Sequence, residues 1–77
     1  MILKDSRGWV KFSVGGRVIT VAGEQIFPDD EPAYFIASLK SLRKWENGDA
    51  VLPEEIETIK RTLEEDFRAK GDNLKWG

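Results

Sequence analysis

The stretch from Gly8 to Ala22, GWVKFSVGGRVITVA, constrains the fold more than any other part of the chain. Two runs rich in β-branched and aromatic residues meet at Gly15-Gly16. Adjacent glycines accept the positive φ angles of a two-residue hairpin turn. With the turn placed there, Val14 opposes Arg17, Phe12 opposes Ile19 and Val10 opposes Val21. Side chains alternate along a strand, so Val10, Phe12, Val14, Ile19 and Val21 share one face. Trp9, Lys11, Ser13, Val18, Thr20 and Ala22 occupy the other. A slip of one residue would carry each apolar set to the wrong face, so the pattern specifies its own register. The resulting sheet has one apolar face and one mixed face, and the apolar face needs a cover.

The sequence supplies that cover in a helix predicted from Pro53 to about Lys70. Proline suits the first helical position, where its missing N–H would be unpaired anyway. Glu54, Glu55 and Glu57 lie at the end where the helix dipole favours anions, and Arg68 and Lys70 where it favours cations. Leu52 precedes the helix, so the usual Ser/Thr cap is lacking. Gly71 suits a left-handed stop. Ile56, Ile59, Leu63 and Phe67 form a narrow stripe at helical spacing. Glu57/Arg61, Glu64/Arg68 and Asp66/Lys70 are spaced as i,i+4 pairs on the solvent side.

Around this frame the chain reads as follows. Met1 to Asp5 offers a short first strand, and the hairpin strands are Trp9 to Val14 and Arg17 to Glu24. Gly23 marks a bulge or the strand's end. Ile26 to Pro32, IFPDDEP, is a loop, because two prolines interrupt pairing. Ala33 to Leu39 begins as a strand through about Ala37. It continues as a short turn or second strand up to Trp45, and Glu46-Asn47-Gly48-Asp49 is a strong turn signal. Asp72 to Trp76 is expected as a short edge strand. The prediction is a single α+β domain over residues 1–77: an antiparallel sheet of four to five strands, with one long C-terminal helix on one face. Its expected core is Val10, Phe12, Ile19, Val21, Ile36, Ile56, Ile59, Leu63 and Phe67.

Composition narrows the chemistry. Neither histidine nor cysteine occurs among the 77 residues. A Ser-His-Asp or Cys-His catalytic set, a disulfide framework and a Cys/His metal site are therefore excluded. Gly15-Gly16 lacks the helix and lysine of a phosphate-binding loop. The carboxylates fall mostly on an exposed helix face, where nothing would shift them. Asp29-Asp30-Glu31 lacks the alternating spacing and glycine of a calcium loop, and reads as a solvated loop, with a partner contact or an adventitious metal as the alternatives. An enzyme is not expected, and no cofactor or metal is implied. Net charge is −2, with 12 basic and 14 acidic residues. That mild balance does not suggest nucleic-acid binding, which favours a basic face. No apolar run approaches the ~20 residues that span a bilayer, and MILKDSRG is too short and charged for a secretory leader. The expectation is a cytoplasmic protein.

Three tryptophans are the remaining signal. Trp45 reads as a core residue at the sheet edge or as an exposed anchor. Trp9 is either covered by a neighbouring strand or open to a partner, and Trp76 either pins the last strand or meets another subunit.

The order of segments resembles a known family. YFIASLKSLRKW, from Tyr34 to Trp45, leads through a turn to LPEEIETIKRTLEEDF, from Leu52 to Phe67, and then to a short strand. This layout, with Lys44-Trp45 before the turn and Pro53-Glu54-Glu55 opening the helix, is similar to the immunity protein 74 family of bacterial polymorphic toxin systems. The resemblance implies a small α+β protein without enzymatic activity that binds and neutralises a cognate toxin domain by stoichiometric occlusion. On that reading the candidate anchors are Trp9, Arg43 and Trp45. The Asp29-Asp30-Glu31 loop would supply charge complementary to a basic toxin. A reading of a different class is a small structural homo-oligomer, such as a homodimer, formed through the Asp72 to Trp76 edge or through apolar surface exposed by Trp9 and Trp76, and having no toxin partner.

Overall fold

Gly15 and Gly16 sit at φ +56° and +82°, the left-handed pair a tight hairpin turn needs. The strands they join pair in the expected register, from Val14 with Arg17 to Trp9 with Ala22. The computed structural model describes residues 1–77. Its elements are β1 (Ile2–Asp5), β2 (Trp9–Val14), β3 (Arg17–Ile26), β4 (Tyr34–Ala37), α1 (Pro53–Ala69) and β5 (Asn73–Trp76), with a 3₁₀ turn at Leu39–Ser41.

The five strands form one sheet in the order β1-β2-β3-β4-β5, with α1 packed on its apolar face. The first three pairings are antiparallel, whereas β4 and β5 are parallel. A hairpin reverses the chain, but α1 carries it back across the sheet, so β5 enters in the direction of β4. The sheet is thus mixed, and mostly antiparallel.

β3 holds the sheet together. Its first six residues pair with β2 and its last four with β4. Gly23 is therefore neither a strand end nor a bulge. A Cβ there would collide with the Ile36 carbonyl and stand within 2.6 Å of the Phe35 ring. Glycine leaves the space in which that ring lies across the strand. Beyond β4, the free edge of β3 is completed by the 3₁₀ turn and the segment after it. The Ala22 N–H donates to Ser41 Oγ (3.0 Å). The Glu46 N–H donates to the Val18 carbonyl (2.8 Å). The stretch expected as a turn or second strand is accordingly a turn, followed by a single bridge between Lys44 and Ala50.

Seven of the nine expected core residues are buried. Ile56 is half-buried against them. Ile36 is a correction: it faces the uncovered side, and Phe35 and Ala37 face the helix. The reason is register. Gly23 and Gln25 continue the inward face of Ile19 and Val21, and they pair with Ala37 and Phe35. The Phe35 and Phe67 rings meet at a centroid distance of 5.9 Å and 41°, in the range of favourable tilted pairs. Val14, Leu42 and Trp45 complete the core.

None of the three expected i,i+4 pairs forms. Asp66 faces the Met1 amine at 2.7 Å. Lys70 turns to Asp5 and Asp72, and Glu57 approaches Lys60 at 3.9 Å.

Candidate partner-binding surface

The molecule has two chemically distinct ends. At the hairpin end, Arg17 opens β3, Trp45 lies in the loop beside it, and Glu55 stands in the first turn of α1. The Arg17 guanidinium stacks on the Trp45 ring, 3.8 Å from its centroid, and pairs with the Glu55 carboxylate. Glu55 also accepts from the Leu52 N–H (2.9 Å) and the Trp45 indole N–H (3.3 Å). Leucine has no side-chain acceptor, so Glu55 supplies the one side-chain half of a capping box that this helix can form. The Leu52 amide, then Arg17 and the indole, hold the Glu55 carboxyl below its ordinary value, against a smaller opposing effect of burial. Trp45 is 2 % exposed beneath this lattice.

At the opposite end, β3 stops at Ile26 and the chain passes through Phe27 and the acidic loop. A cleft of about 360 Å³ opens there between the sheet and the C-terminal end of α1. Phe35 and Phe67 line it with Phe27, and Asp5, Arg7, Lys70 and Asp72 lie among its charged walls. The Lys70 ammonium lies 3.0 Å from Asp5 and 3.1 Å from Asp72. Burial depresses its affinity for the proton, but the two carboxylates outweigh it and raise the pKa above the ordinary value. Phe27 is 66 % exposed, more than any other aromatic residue.

The sequence-predicted contact residues do not converge. Trp9 is half-buried on the uncovered sheet face, opposite Ala22. Asp29, Asp30 and Glu31 are exposed at the cleft end and make no ion pair. Arg43 is exposed in the loop that flanks β3, where its Nε donates to the Lys40 carbonyl (3.1 Å). Trp45 is interior. Trp76 is half-buried and pinned to α1, with its indole N–H donating to Glu64 (3.3 Å). Sequence reasoning missed Phe27, although a signal existed: an aromatic residue between a strand end and Pro28 has no neighbouring strand to cover it.

No group of three or more acidic side chains is disposed to hold a metal ion. No helix is long and apolar enough to cross a membrane. Among known proteins, the family model described as Immunity protein 74 matches residues 2–75. No curated protein and no solved structure matches the chain.

Proposed function

The chain belongs to the immunity protein 74 family, and from that premise we propose that it binds a cognate toxin domain in a one-to-one complex that blocks the toxin's active site. The observation that carries this reading is the family match across residues 2–75, nearly the whole chain. The chain's own chemistry agrees with it, since histidine and cysteine are absent and the remaining functional groups suit contact rather than turnover.

Size limits where such a complex forms. A standard interface takes about 800 Å² from each partner. The protein's surface is 5143 Å², and its two shorter dimensions are 22 and 20 Å. One end is too small to supply that area alone, so the contact extends from an end onto a long face. The acidic loop and Trp9 lie towards the same end of the sheet, and together they offer such a surface. Arg43 adds an anchor on the flanking loop. Trp45 acts from beneath, by holding the loop that carries Arg43. Acidic groups at the rim would mainly accelerate association, in a salt-dependent way. The protein acts where its toxin is made, in the cytoplasm.

The test is co-expression with the C-terminal domain of a secreted toxin encoded beside this gene. Cells survive only when the chain is present, and the purified proteins form a one-to-one complex. Equal killing with and without the chain, and no complex on mixing, would refute the reading.

A second reading is favoured by one observation: β5 is an edge strand with an open side. Self-association through that edge gives a homodimer. Light scattering over a tenfold dilution series detects it, and a monomer throughout removes it.

A further inference from the structure

Phe27 and the cleft behind it are not explained by the protein's own packing. A phenylalanine is normally among the more buried residues. Here the ring is 66 % exposed while it forms one wall of a cleft whose other apolar lining residues, Val10, Phe35 and Phe67, are buried. The charges of the cleft lining balance, two carboxylates against two cations, and the excess negative charge lies outside the lining, in the loop that follows Phe27. Asp5 and Asp72 are engaged by Lys70. Arg7 offsets the remaining carboxylate charge at the walls. Asp29, Asp30 and Glu31 then follow Phe27 in the chain within four residues, and they have no counter-ion. Two residues of extended chain span at most about 7 Å, so Asp29 stays close to Phe27. The C-terminal end of α1, which points the negative pole of its dipole this way, adds to the same potential.

We propose that this cleft seats a basic segment of the partner protein, with one apolar side chain packing on the exposed Phe27 ring at the mouth while lysines or arginines beside it lie on Asp29, Asp30 and Glu31. The proposal rests on the toxin-binding function above and names the surface and the chemistry it recognises. Charge complementarity selects the occupant. A second copy is disfavoured, because two-fold pairing sets a patch against itself and would bring two acidic loops together. Aromatic anchors packed into a partner's pocket carry much of the energy of protein interfaces, and Phe27 is the most exposed aromatic residue of this chain.

The experiment measures binding of the neighbouring gene's toxin domain to the full chain and to two variants. One is Phe27→Ala. The other carries Asp29→Lys, Asp30→Lys and Glu31→Lys together. Phe27→Ala is expected to weaken binding by about thirtyfold, the size of a hot-spot loss. Charge reversal is expected to slow association by about tenfold or more and to flatten its salt dependence. Should Phe27→Ala lower the melting temperature, the charge-reversed variant, altered only at exposed positions, decides alone. If the wild-type chain binds and both variants bind equally well, the cleft proposal is wrong and the function stands. If the wild-type chain does not bind, both fall. A concentration-dependent dimer that Phe27→Ala abolishes would assign the cleft to self-association and overturn the proposal.

Discussion

The two ends of the molecule carry the same ingredients, an aromatic ring and an ion cluster, and use them in opposite ways. At the hairpin end, Arg17 lies flat on Trp45 and Glu55 ties both to the helix, so the largest side chain of the region is 2 % exposed. At the cleft end, Lys70 binds two carboxylates beside the aromatic residues and leaves Phe27 66 % exposed. The difference lies in connectivity. Arg17, Trp45 and Glu55 come from three separate elements, and closing their contacts closes the fold. Phe27 lies between the end of β3 and Pro28, with no paired backbone to draw it inward. Residue type alone ranks tryptophan above phenylalanine as an interface anchor. Here the ranking reverses, because the tryptophan is already engaged within the molecule.

The largest test of this contrast pairs the two aromatics. Trp45→Ala should cost about 3–5 kcal/mol, as for other buried large-to-small changes. That is comparable to the roughly 3–5 kcal/mol a core of this size supplies, so the variant should be largely unfolded at 25 °C by circular dichroism. Phe27→Ala should shift urea-derived stability by no more than about 0.5 kcal/mol. A comparable loss from both would show that Phe27 is part of the core and end the comparison.

A smaller effect is expected at Gly23, midway between the ends. The Cβ of Gly23→Ala would meet the Ile36 carbonyl and the Phe35 ring, neither of which moves freely. Overpacking of this kind costs about 1–3 kcal/mol. Pairing Gly23→Ala with Phe35→Leu should recover part of the loss in denaturant titrations. No recovery would mean that the backbone contact, not the ring, is limiting.

The smallest effects are electrostatic, and they separate the ends by pH. Glu55 has a lowered folded-state pKa. Its contribution is present above the ordinary glutamate value of 4.5 and is lost as pH falls through the folded value. Lys70 has a raised pKa, so its contribution is present below the ordinary 10.5 and is lost as pH rises through the folded value. The melting-temperature gap between wild type and Glu55→Gln should therefore narrow in acid below pH 4.5. The gap to Lys70→Met should narrow in alkali above 10.5. Gaps that stay constant across both ranges would show that neither cluster contributes through charge.

Local patterns were enough for much of this fold. Two adjacent glycines between alternating apolar runs dictate the hairpin and its register, because turn geometry and pleat leave one solution. A proline, an acidic first turn and a three-to-four-residue apolar stripe likewise dictate α1, which ends at Ala69, one residue from its expected end. The layout of segments carried the family resemblance, and the match across residues 2–75 bears it out. What local pattern did not settle were the choices that depend on a second element. Ile36 and Phe35 are both apolar neighbours on a short strand, and only pairing with Gly23 and Gln25 decides which faces the helix. The parallel entry of β5 depends on the length of α1 across the sheet. The fate of each aromatic was decided in the same way: Trp45 is interior because Arg17 and Glu55, 28 residues before it and 10 after, close over it, whereas Phe27 has no such partners. Burial is a property of distant residues brought together, and spacing along one segment does not contain it.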